Sequence, residues 1–309
     1  MADTWNVSRR TALDGLLAAV AASVPLKSAS ASRLIRTNRR VIAYKADAAS
    51  APVAVEVLLR GRGPLVVLLP SLGRGASDFD DLAARIAAAG HRTAAVNPRG
   101  IGNSKGPEPH SLGDYARDVF ETIKALQPPR AREPIKPVVL IGHAYGNRLA
   151  RAVAAKYPEA VSRLVLLASG GQIAMAPAIN KALNDVFDPA LSPEAHIAAV
   201  RTAFFAPGND PEVWRDGWYG AVARQQQTAV RNSPPDTWVA GGNKPIHIIQ
   251  AAQDAVAPPA NAEALRAAHP DRVEVAVLEN AGHAMLPEQP DRLARLVLER
   301  LVPPAKAVR

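Results

Sequence analysis

The chain has 309 residues, of which 48% are hydrophobic and 21% charged, with a formal net charge of +9 and no cysteine. That length suits one large α/β domain carrying an insertion. No apolar run is long enough for a membrane span, and the missing cysteine excludes disulfides, thiolate metal sites and a cysteine nucleophile. Residues 1–40 carry +5 of the net charge, with no basic helix and no interleaved aromatic platform to accompany it, so nucleic acid is not an expected partner.

Ser8-Arg9-Arg10-Thr11-Ala12-Leu13, then Leu16-Leu17-Ala18-Ala19-Val20-Ala21-Ala22 and small residues around Ala29-Ser30-Ala31, resembles a twin-arginine export signal. It departs from the usual pattern at Ala12 and Asp14, and the competing reading is an amphipathic helix or an unstructured tail. The export reading sets residues 1–31 aside as a cleaved signal and places the mature protein in the bacterial envelope or outside the cell.

Val53–Leu59 and Leu65–Leu69 predict two neighbouring strands joined by the Gly61-Arg62-Gly63-Pro64 turn, the second strand fully buried. Ser77-Asp78-Phe79-Asp80 has a capping-box pattern and predicts a helix running to Ala89, ended by Gly90. Thr93–Val96 is the next strand, and Asn97-Pro98-Arg99-Gly100-Ile101-Gly102-Asn103-Ser104 the loop beyond it. A helix over Gly113–Leu126, a proline-rich connection over 128–137 and a buried strand at Leu164–Leu167 continue the pattern of a parallel sheet covered on both faces. From 170 to 242 the alternation stops, and helical segments broken by prolines carry Phe187, Phe204, Phe205, Trp214, Trp218, Tyr219 and Trp238. It resumes with Ile246–Ile249, a helix over Pro259–Ala268, Val273–Val277 and a last helix over Pro290–Leu301.

The most informative stretch is Pro137 to Pro158, a short apolar strand, a tight turn held between Gly142 and Gly146, and an Ala-, Leu- and Arg-rich helix. Gly142-His143-Ala144-Tyr145-Gly146 resembles the nucleophile elbow of the α/β-hydrolase superfamily, where a serine normally stands between the glycines. Here that position is Ala144, which has no attacking oxygen. The resemblance covers roughly residues 40–302. It implies an α/β-hydrolase fold with a mostly parallel sheet, the core being 40–169 and 243–302 and the helical stretch 170–242 forming a cap.

The same resemblance implies the remaining site residues. Asp254, in Gln253-Asp254-Ala255-Val256-Ala257-Pro258, is similar to the acid loop, and His283, in Asn280-Ala281-Gly282-His283-Ala284-Met285, to the histidine loop. Ala144, Asp254 and His283 keep the family's order of nucleophile, acid and base. The backbone N–H groups of Leu72 and Tyr145 are the expected oxyanion donors, with Pro70-Ser71 where the family usually has His-Gly. Ser71, Trp214 and Trp218 are candidate substrate contacts, and His143 is read as structural. No metal or cofactor is implied, and the expected partner is a small-molecule substrate, the protein being a monomer or homo-oligomer without membrane insertion.

Three readings of Ala144 stand side by side. The chain is a serine hydrolase of small, largely apolar carbonyl substrates (ester, lactone or C–C bond) whose nucleophile has been substituted. Or His283, poised by Asp254, acts as general base without a covalent intermediate. A variant of this reading uses the Ser71 hydroxyl. Or the pocket only binds a ligand.

Overall fold

The computed structural model describes residues 36–301 apart from 46, 128–133 and 172. The export-signal reading of residues 1–31 lies outside the described residues. The strands are β1 (Asn38–Tyr44), β2 (Val53–Gly61), β3 (Leu65–Leu69), β4 (Arg92–Val96), β5 (Val138–His143), β6 (Val161–Leu167), β7 (Ile246–Ala251) and β8 (Val273–Leu278). They form one eight-stranded sheet in the order β1-β2-β4-β3-β5-β6-β7-β8. Pairing is antiparallel for β1–β2 and β2–β4 and parallel from β4 to β8.

The helices are α1 (Asp80–Ala88), α2 (Leu112–Leu126), α3 (Tyr145–Lys156), α4 (Pro177–Asp185), α5 (Pro193–Phe204), α6 (Gly220–Arg231), α7 (Ala260–Ala268), α8 (Met285–Glu288) and α9 (Pro290–Leu301). Strands buried on both faces must be apolar at every position, and β3 is, from Leu65 to Leu69. Val67 and Leu69 belong to the apolar layer that also holds Val119 and Ile123 of α2, Leu149 and Val153 of α3 and Leu265 of α7. Val66 and Leu68 point the other way, toward Ile86 of α1 and Val297 of α9. This period-two partition gives a three-layer α/β/α core.

Three sequence expectations change. The strands β2 and β3 are consecutive in the chain but are not partners, because β4 lies between them. Ser77 does not cap a helix: Ala76–Phe79 is a 3₁₀ turn, α1 starts at Asp80, and neither start has a side-chain cap. The donor there is met from elsewhere, since the N–H of Ala76 donates to Asn97 Oδ1 at 2.7 Å. The third change is an added strand, β1, whose polar and exposed residues Asn38, Arg39 and Arg40 pair with Leu59, Leu58 and Val57 at the sheet edge.

The helices α4, α5 and α6 all fall within 170–242, between β6 and β7. The first two share a small core of their own, including Leu183, Val186, Val200, Phe204, Phe205 and Trp214, which also takes in Ala284 beside His283, whereas Ala229 of α6 joins the main core. From α6, Gln226 Oε1 accepts the N–H of Gly73 at 2.8 Å, tying the insertion to the loop after β3.

Candidate active site

At the C-terminal end of β5 the chain must turn sharply from strand to helix, and the backbone shows how. Ala144 sits at φ 51°, ψ −108°, a conformation that L-residues rarely adopt. The flanking glycines are required by contact: a Cβ on Gly142 would lie 2.2 Å from the carbonyl oxygen of Gly146, and one on Gly146 would lie 2.0 Å from that of Leu69. The turn therefore holds β5, α3 and β3 in near contact, and the strain at residue 144 persists although its side chain is a methyl.

Asp254 follows β7 and His283 follows β8, and both are buried. His283 Nδ1 lies 2.9 Å from each carboxylate oxygen of Asp254. The carboxylate accepts, so the proton is on Nδ1 and the Nε2 lone pair is left for the cavity. Nε2 has no protein partner among the described residues. The acid is itself held: Gln250 Nε2 donates to Asp254 Oδ2 at 3.4 Å and to the carbonyl of Ala257 at 2.8 Å, and the N–H of Ala257 donates to Asp254 Oδ1 at 2.7 Å.

His143 lies wholly inside the protein, and its Nε2–H donates to the backbone carbonyl of His283 at 2.8 Å. Burial, then the neighbouring His283, pushes its pKa down to about 3, with Arg74 adding to the effect and the bond to the His283 carbonyl opposing it. It is thus a neutral strut between the elbow and the histidine loop. Glu288 braces the same loop: it accepts the N–H of Gly282 at 2.8 Å, the N–H of Ala206 at 2.7 Å and Asn209 Nδ2 at 2.7 Å.

A cavity of about 620 Å³ opens at this point, with Ser71, Leu72, Ala144, Tyr145, Phe204 and His283 on its walls. Most of the remaining lining is apolar, including Ala168, Ile173, Met175, Leu183, Val230, Val256 and Ala257. Tyr145 is the first residue of α3, so its N–H has no intrahelical acceptor. Among the described residues the N–H of Leu72 also has no protein acceptor, and both residues face the cavity. The hydroxyl of Ser71 likewise makes no hydrogen bond within the described residues, so the local backbone bond that competes with a chemical role for it is absent.

The family model described as alpha/beta hydrolase family matches residues 66–296. The chain belongs to the alpha/beta hydrolase family. A 2-(acetamidomethylene)succinate hydrolase of Mesorhizobium japonicum is 31% identical over 116 residues, 37% of this chain and 39% of that protein. The chain covers well under half the length of the curated relatives it matches, 34% for three uncharacterized mycobacterial proteins. Among solved structures, a thermophilic esterase from Thermogutta terrifontis has a TM-score of 0.67 at 20% identity, covering 85% of this chain and 98% of that one. An alanine mutant of a meta-cleavage product hydrolase from Pseudomonas fluorescens IP01, complexed with acetates, has a TM-score of 0.65 at 22% identity, with 80% and 93% covered.

Within this alpha/beta hydrolase, Trp214 and Trp218 are not where the sequence reading puts them. Neither lines the cavity. Their rings sit 5.8 Å apart, each 4.5 Å from the guanidinium of Arg74. Arg74 is locked by Asp78 and by the carbonyl of Asp216. The tryptophans therefore clamp the loop that carries Leu72 and do not face this cavity. The aromatic wall comes from Phe204 instead. Gln250, Glu288 and Arg74 carry no motif signal, because each acts through a backbone or loop that only the fold brings near. Among the described residues no group of three His, Asp or Glu side chains is placed to hold a metal ion.

Proposed function

We propose that this chain hydrolyses small, largely apolar carbonyl compounds by general-base catalysis, with water in place of a serine. The observation that carries the reading is the His283–Asp254 pair, kept in hydrogen-bond contact with a free imidazole nitrogen beside Ala144. In the reaction, the oxygen of a water attacks the carbonyl carbon while His283 Nε2 takes its proton. The negative charge that develops on the carbonyl oxygen is met by the N–H groups of Leu72 and Tyr145. Collapse of the tetrahedral species breaks the bond to the leaving group, which takes the proton from Nε2. Acid and alcohol leave, and the site returns to its starting state. Asp254 keeps the ring in the required tautomer and stabilises the imidazolium.

Membership of the alpha/beta hydrolase family and the apolar cavity support this reading. A general base of this kind contributes roughly 10² to 10⁴ in rate, so turnover is modest but measurable. The test is a panel of nitrophenyl esters and lactones with the unmodified chain, His283→Ala and Ala144→Ser. The reading expects turnover by the unmodified chain, its loss in His283→Ala, and no acyl adduct in the intact mass. An inert unmodified chain, with a large gain and fluorophosphonate labelling in Ala144→Ser, would instead assign a lost serine. Binding without turnover in every form would assign a ligand-binding protein. Arg9-Arg10 ahead of an apolar segment supports export of this enzyme, tested by fractionating cells that express the full chain.

A further inference from the structure

Two arginines of α3 lie one turn apart and are treated very differently by the fold. Arg151 is buried, and its guanidinium is well supplied with acceptors: Asn147 Oδ1 and the carbonyl of Gly170, each at 2.8 Å, with the carbonyls of Val239 and Asn147 at 3.3 and 3.4 Å. It is a structural clamp. Arg148 is half-buried and lines the cavity. It has no hydrogen bond and no ion pair among the described residues. Its one ring contact is Trp238, whose centroid is 5.8 Å from Cζ.

A guanidinium carries five N–H donors, and leaving them without acceptors away from bulk water is costly. Burial accordingly lowers the pKa of Arg148, and the only neighbour acting in the other direction is the Tyr145 hydroxyl, not a carboxylate. The group is held in place by a helix, by Trp238 and by the close backbone of Gly171, where a Cβ would come 3.8 Å from its Cζ and Nε. It lies four residues beyond Ala144, about one helical turn along the chain, and lines the same cavity as Ala144 and His283. The side-chain amides of Asn180, Asn184 and Gln227 share the cavity. Arg231, also in the lining, is exposed and donates to Thr228 Oγ1 at 2.9 Å.

We infer that Arg148 is the specificity-determining residue of this site, and that the substrate is a carbonyl compound with a carboxylate on the same small apolar skeleton. The carboxylate accepts the planar guanidinium fork while the carbonyl lies between His283 and the oxyanion donors. Arg231 is exposed to water, so the single half-buried cation of the lining matches a monoanion better than a phosphate dianion. The inference rests on the catalytic reading for its choice of site, and its test is independent of turnover.

The test is isothermal titration calorimetry with β-benzoylpropionate and its neutral amide, a pair of ketones that hydrolysis of an ester cannot consume. The unmodified chain binds the acid about tenfold or more tightly than the amide, as a charge-assisted hydrogen bond requires. Arg148→Gln brings the ratio close to one, and Arg148→Lys retains part of it. A ratio near one in the unmodified chain, or a tenfold preference surviving in Arg148→Gln, would overturn the inference. So would displacement of the acid by an equal concentration of inorganic phosphate. Acid preference without ester turnover would sink the hydrolytic reading and leave this one standing.

Discussion

Acid should destabilise this protein through His143, a residue remote from solvent and easy to isolate by substitution. Its pKa is pushed from the usual 6.5 down to about 3, chiefly by burial. As pH falls below about 6.5 the unfolded chain takes up a proton at this ring and the native protein does not, so stability is complete above that pH and is lost on acidification down to about pH 3. From pH 7 to pH 5, an interval wholly above the native value, the loss from this single group comes to about 2 kcal/mol. The measurement is urea unfolding at pH 7, 6 and 5 for the unmodified chain and for His143→Gln, which keeps an N–H for the His283 carbonyl but cannot titrate. The unmodified chain should lose about 2 kcal/mol more than the variant over that interval. Equal losses in the two proteins would show that His143 titrates normally and is not sealed between the elbow and the histidine loop.

Three further outcomes follow from the site. Ala144→Gly should raise stability by about 1 kcal/mol in the same unfolding assay, because glycine tolerates the positive φ that strains alanine; a loss would mean that the turn is not strained. Glu288→Ala should destabilise by about 1 to 3 kcal/mol, since two backbone N–H groups, of Gly282 and Ala206, lose their acceptor. It should also lower kcat by loosening the histidine loop, and unchanged kcat would remove Glu288 from the positioning network. Ser71→Ala should leave ester turnover within about threefold if water is the nucleophile, because general-base action runs through His283. A collapse as large as that of His283→Ala would make the Ser71 hydroxyl the attacking group.

Where the local sequence contains the whole cause of a structure, the sequence shows it. The elbow is such a case: two glycines, an apolar strand and a helix-forming run are contiguous, and the clashes that require Gly142 and Gly146 involve that same turn and the adjacent β3. The acid and histidine loops were placed by their resemblance to the family's loops, each following a β-branched strand. What could not be read depends on partners distant in the chain. The edge strand β1 is polar and mostly exposed, so it lacks the apolar signature of the inner strands. The placement of β4 between β2 and β3 is a property of the sheet's winding, invisible in the spacing of the strands. Ser77 looks like a cap in isolation, but Asn97, at the end of β4, supplies the acceptor. Trp214 and Trp218 have the composition of a substrate wall and are used to sandwich Arg74. Arg148 and Arg151 are indistinguishable as letters, and only their acceptors separate a clamp from an unpaired charge.

The central claim is that the imidazole of His283 still does chemistry beside a residue that cannot attack. Its most direct test is the ratio of kcat/KM for one activated ester between the unmodified chain and His283→Ala, with residue 144 left as alanine in both. The account predicts a fall of about 10² or more. Equal rates in the two proteins would contradict it and reduce Asp254 and His283 to packing.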